Sequence, residues 1–107
     1  MTERLMIRYR LKPSELDNHL ELLRAVYREL ESTSPDDLSY VSYQLDDDLD
    51  FVDIAIGPAL PGPLPGLAAF QRYRRDLESR CDERVVSDLR VVESYRFGTE
   101  DMLGNDH

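Results

Sequence analysis

The chain has 107 residues, 41% of them hydrophobic and 33% charged, enough for one domain that removes roughly two-thirds of its unfolded surface from water. Thirteen basic against 22 acidic residues leave a formal charge of −9, which opposes nucleic acid phosphates and anionic membranes as partners. No apolar run approaches the ~20 residues of a membrane span, Cys81 as the only cysteine excludes an internal disulfide, and the N-terminus lacks a secretory core, so a cytoplasmic location is expected.

Residues 4–12 alternate strictly, Leu5, Ile7, Tyr9 and Leu11 against Met6, Arg8, Arg10 and Lys12, the pattern of a half-buried strand. Pro13 stops it. Ser14-Glu15-Leu16-Asp17 then has the form of a capping box, and the spacing of Leu16, Leu20, Leu23, Tyr27 and Leu30 predicts an amphipathic helix ending near Ser32. Residues 38–45 and 51–57 alternate again, with Val41, Tyr43 and Leu45 expected inside on the first and Val52, Ile54 and Ile56 on the second. The two form a hairpin. Its turn holds Asp46, Asp47, Asp48 and Asp50, four of the seven acids that residues 36–66 carry without one base. The turn lacks the spacing, glycine and closing glutamate of a calcium loop, so it reads as a solvated turn and no metal is expected.

Pro58, Pro61, Pro63 and Pro65, interleaved with Gly57, Gly62 and Gly66, predict a surface loop beside the next helix, able to act as a lid. Leu67, Phe70, Tyr73, Leu77 and Cys81 mark a second amphipathic helix, whose exposed side offers Arg72 with Asp76 and Arg74 with Glu78 as ion pairs. A last strand is expected over residues 85–97, with Leu89, Val91, Tyr95 and Phe97 on its apolar side. Residues 98–107 lack periodicity and read as a flexible tail behind a domain of residues 1–97.

The order β-α-β-β-α-β is that of the ferredoxin-like α+β fold: four antiparallel strands with both helices on one face. On this phasing the helix-free face presents Arg8, Arg10, Tyr40, Asp53 and Arg96 among apolar neighbours, too mixed for solvent and suited to an identical subunit. Asp53 there reads as a structural ion-pair partner of Arg8 and Arg10 on the neighbouring strand, desolvated at the dimer face. On the helix side, Tyr9, His19, Leu23, Tyr43, Phe70, Tyr73 and Tyr95 converge as the lining of a pocket for a small aromatic ligand. The catalytic candidates are His19, at the edge of the first helix's stripe, and Glu93, which burial would turn into a general base unless a bulge at Val91-Val92 swings it outward. Cys81 lacks an orienting histidine nearby and reads as a core thiol.

The runs Met6-Ile7-Arg8-Tyr9-Arg10-Leu11-Lys12-Pro13, Phe51-Val52-Asp53-Ile54-Ala55, Phe70-Gln71-Arg72-Tyr73 and Glu93-Ser94-Tyr95-Arg96-Phe97, in this element order, resemble the dimeric α/β-barrel superfamily. Within it, the antibiotic biosynthesis monooxygenase-like group of small proteins is the nearest resemblance. That resemblance implies a homodimer with sheets facing each other and an apolar pocket between sheet and helices in each subunit. It also implies a range of activities, from cofactor-independent oxygenases and isomerases to proteins without a known reaction. Haem-degrading relatives use a histidine on the second helix; residues 67–81 contain none, so no haem and no other cofactor is expected. The oxygenating members use an Asn and a Trp, whereas this chain has no Trp and its Asn18 falls on the polar side of the first helix. The reading is therefore a homodimeric small-molecule-binding protein, a cofactor-independent oxygenase or isomerase; the alternative is a non-catalytic dimeric interaction module.

Overall fold

Tyr9 and Leu11 set the phase of the sheet: both are completely buried on β1 (Glu3–Leu11), on the side that Leu5 and Ile7 share. The structure, a computed structural model, describes residues 2–97, and the tail expected over 98–107 lies outside the described residues. After β1 come a single 3-10 turn at Pro13–Glu15, α1 (Leu16–Thr33), β2 (Ser39–Gln44) and β3 (Asp50–Gly57). A second 3-10 turn at Leu64–Gly66 leads to α2 (Ala68–Arg75), α3 (Leu77–Arg80) and β4 (Cys81–Asp88). The strands form one sheet in the order β2-β3-β1-β4, with every neighbouring pair antiparallel. This is the ferredoxin-like arrangement. No helix among the described residues is long and apolar enough to cross a membrane.

The phase of β2 and β3 is the reverse of the sequence expectation. Residues directly opposite in an antiparallel pair share a face, and Tyr9 lies opposite Phe51 while Ile7 lies opposite Asp53. Phe51, Asp53 and Ala55 therefore turn toward the helices, where all three are buried. Tyr40 and Ser42, opposite Ala55 and Asp53, turn inward with them. Both faces of β3 are apolar enough to be buried, so alternation alone leaves the choice open. One local constraint favours the observed phase: a Cβ on Gly57 would stand 2.7 Å from the Asp37 carbonyl oxygen, so only glycine fits at that inward position.

The helix-free face is correspondingly more apolar than expected. Met6, Val41, Tyr43, Val52, Ile54, Ile56 and Val85 share it with Arg4 and Arg8. Tyr43 is 51% exposed there instead of lining an interior pocket. A groove of about 520 Å³ runs between Ile54 and Ile56 and residues 89–97.

The last strand starts and stops earlier than periodicity suggests. It pairs from Cys81 opposite Leu11 to Asp88 opposite Leu5, with its register shift at Arg10 and Leu11 rather than at Val91-Val92. One more backbone bond, from the Leu89 amide to the Arg4 carbonyl at 2.9 Å, follows before β1 runs out of partners. Glu93, Tyr95 and Arg96 consequently lie beyond the sheet and are exposed, Tyr95 to 81%. Glu93 is no buried base, Tyr95 lines no interior pocket, and Arg96 stands on no strand.

In α1 the buried stripe is His19, Leu23 and Val26, with Leu16, Leu20, Tyr27 and Leu30 packed at its flanks. Ser14 sits inside the 3-10 turn and caps nothing with its side chain. The second helix is interrupted at Asp76, whose backbone leaves the helical region, so the pairs expected for Arg72 and Arg74 do not form. Arg74 lies over the Phe70 ring at 5.9 Å, and Glu78 pairs with Arg84 at 3.6 Å. The proline-rich loop is pinned by buried Leu64 and Leu67 and by the Glu3 carboxylate, which accepts from the Leu60 amide at 2.8 Å.

Candidate functional site

The inward turn of β3 puts a carboxylate among aromatic rings. Asp53, 1% exposed, accepts from the hydroxyls of Tyr73 at 2.5 Å, Tyr9 at 3.2 and 3.3 Å, and Tyr40 at 3.4 Å. These three phenols come from α2, β1 and β2, so the carboxylate ties the sheet to the second helix. Arg10, expected to pair with Asp53, reaches Asp47 and Asp50 instead, at 3.1 Å each. The Asp47 side chain also accepts from the Leu49 and Asp50 amides, which explains its use in the turn.

His19 completes the cluster from α1. Its Nε2 lies 2.8 Å from the Tyr9 hydroxyl, and its Nδ1 lies 3.4 Å from Nε of Arg80, which is buried. One arrangement of protons satisfies these contacts together. Arg80 donates to Nδ1, Nε2–H donates to Tyr9, and Tyr9 donates onward to Asp53, which also receives Tyr73 and Tyr40. The rings pack edge-on and stacked: Tyr9 to Phe51 at 5.5 Å, His19 to Phe51 at 5.1 Å and His19 to Tyr73 at 5.4 Å between centroids.

Burial governs the protonation of every member. It pushes Asp53 above the usual carboxylate range, and the hydroxyls of Tyr73, Ser42, Tyr9 and Tyr40 oppose it. It pushes Tyr9, Tyr40 and Tyr73 up, helped by the negative charge of Asp53. Burial, with the Arg80 charge second, lowers His19 to about 4. Cys81 is likewise pushed up by burial, so its thiol is a core group and no ready nucleophile.

The His19 shift fixes a sign. Between pH 6.5 and about 4 the unfolded chain takes up a proton that the folded chain refuses, so this residue costs stability as pH falls. Asp53 acts oppositely, since the folded chain keeps a proton longer than the unfolded one does. Comparing the wild type with His19→Gln isolates the first effect. The variant is expected to lack about 3 kcal/mol of acid-induced loss over that window. Urea unfolding at steps of pH measures it, and parallel profiles for the two chains would refute it.

Of the residues proposed from sequence for an interior pocket, Tyr9, His19, Leu23, Phe70 and Tyr73 are brought together in the core, whereas Tyr43 and Tyr95 are outside it. Of those proposed for the helix-free face, Arg8 and Arg10 lie there while Tyr40 and Asp53 do not. Sequence reasoning missed Tyr40, Asp53 and Arg80 as members of the interior cluster. The available signal was Asp53 itself, the one acid within the apolar run of residues 51–57, with three tyrosines elsewhere as donors. No group of three or more His, Cys, Asp or Glu side chains among the described residues is placed to hold a metal ion.

No family model matches the chain, and no curated protein matches it in sequence. Its fold is shared with solved structures of low identity. The Rv0793 protein of Mycobacterium tuberculosis superposes with a TM-score of 0.71 at 17% identity, over 88% of this chain and 98% of that one. An antibiotic biosynthesis monooxygenase gives 0.65 at 20% identity, over 87% and 100%. A dimeric ferredoxin-like protein of unknown function from Jannaschia sp. CCS1 gives 0.63 at 13% identity, over 85% and 100%. The chain thus shares the ferredoxin-like fold of these solved structures.

Proposed function

We propose that the chain is a cytoplasmic homodimer that binds a small aromatic molecule against the Tyr9–His19–Asp53–Tyr73 cluster of each subunit and exchanges a proton with it. The observation that carries this reading is the convergence of three phenol hydroxyls on one buried carboxylate that has no cationic partner among the described residues. A carboxyl raised by burial and wired to a neutral histidine can take a proton from an acidic hydroxyl or carbon of a bound aromatic. Such a step needs no flavin or metal. It suits an isomerase, or an oxygenase whose substrate reacts once deprotonated, as the fold resemblance suggests.

A second reading has its own support. The cluster's rings fill the space between sheet and helices at centroid distances of 5.1–5.5 Å, as in a packed core serving a non-catalytic dimeric module. Ligand-dependent melting separates the two. With a library of small phenols and polycyclic aromatics, the first reading expects a rise in melting temperature. At a hundredfold excess over Kd that rise corresponds to about 2.7 kcal/mol, and Asp53→Asn removes it. A flat response across the library leaves the packed module standing and rejects the first reading.

A further inference from the structure

Arg80 is 3% exposed, yet no carboxylate among the described residues pairs with it. Its Nη2 donates to the Tyr73 carbonyl at 2.6 Å, its Nε reaches neutral His19 Nδ1 at 3.4 Å, and its guanidinium lies over the Tyr73 ring at 5.6 Å. All of these neighbours are uncharged. A buried cation whose direct partners are all neutral is costly, and an anion with two oxygens is its natural complement.

The space for such an anion adjoins it. Arg80 lines a cavity of about 380 Å³ between the start of α1 and the α2–α3 break. Arg72 and Arg75 stand at its rim, neither in an ion pair among the described residues, and the interruption at Asp76 removes the helical geometry that would have joined Arg72 to Asp76. Glu15 and Asp76 also border the cavity, and Asn18 adds an amide that reaches Glu15 at 3.4 Å. Three guanidinium groups against two carboxylates leave room for one negative charge, which favours a monoanion over a phosphate dianion.

We propose that this cavity is a binding site for a small organic carboxylate, which pairs with the Arg80 guanidinium from the side opposite His19 and is steadied by Arg72 and Arg75. The site is separate from the Asp53 cluster, although Arg80 touches both. A bound anion offsets the Arg80 charge felt by His19, so occupancy also makes the imidazole easier to protonate.

The test uses benzoate as probe and benzamide as its neutral isostere, followed by melting temperature and by NMR titration of the His19 ring. Benzoate is expected to stabilise the full chain in a concentration-dependent way and to raise the His19 titration midpoint, with benzamide doing neither. Arg80→Gln is expected to abolish the response. Because Arg80 is buried and that variant can lose its fold, the exposed double variant R72Q/R75Q supplies a second measurement, with benzoate affinity lowered about tenfold. The benzoate response is expected to persist in Asp53→Asn, which separates this site from the aromatic cluster. Equal effects of benzoate and benzamide, no benzoate effect at millimolar concentration, or unchanged affinity in R72Q/R75Q would each overturn the proposal.

Discussion

Asp53→Ala is expected to lower the unfolding free energy by about 3–5 kcal/mol, because it strands the hydroxyls of Tyr9, Tyr40 and Tyr73 in the core without their common acceptor. The size of the effect follows from position. An exposed aspartate could be removed with little consequence, whereas this one is 1% exposed and joins three elements. Since the side chain points toward the helices, association between subunits should change little. Urea unfolding reads the first quantity and sedimentation the second. A variant that unfolds like the wild type but dissociates more readily would place Asp53 on the interface and contradict the cluster. Tyr73→Phe removes one donor and keeps the carboxylate, so its cost should be smaller, about 1 kcal/mol.

Ile54→Asp is the complementary experiment. Ile54 lies opposite Met6 and Val41, on the face without helices, and forms part of the groove beside residues 89–97. A carboxylate there remains hydrated in a lone subunit and is desolvated without a partner in a dimer, a penalty of several kcal/mol per subunit. Association weakened by at least a hundredfold is expected, with the circular dichroism of the folded chain retained. Loss of the fold together with the dimer would mean that the subunit has no independent stability. An unchanged dimer would mean that the partner docks elsewhere.

What could be read from the sequence divides according to whether a signal is local. The strand–helix order and the inward side of β1 follow from clean alternation and from the prolines at positions 13 and 35 to 65. Both helices show as stripes, and Tyr9, His19, Leu23, Phe70 and Tyr73 meet because those stripes face the same sheet. The faces of β2 and β3 were not legible in the same way. Val52, Ile54 and Ile56 are larger aliphatics than their alternates, and alternation assigns two sides without saying which is covered. The deciding interactions join Asp53 to Tyr9 and Tyr73, 44 and 20 residues away in the chain, and no window of sequence contains them.

The C-terminal strand failed for a related reason. Val91, Tyr95 and Phe97 carry strand periodicity, but β1 offers no backbone partners past the residues opposite Asp88 and Leu89. Strand propensity without a neighbouring edge leaves these side chains on the surface. Together with Val41, Tyr43 and Val85 they make an exposed apolar area of the kind that subunit interfaces cover.

Equilibrium sedimentation of the wild-type chain at micromolar dilution tests the assembly on which this account rests. Twice the 12.4 kDa chain mass, reverting to one chain mass in Ile54→Asp, is the expected result. A wild-type particle of a single chain mass would leave the helix-free face bare and contradict the account.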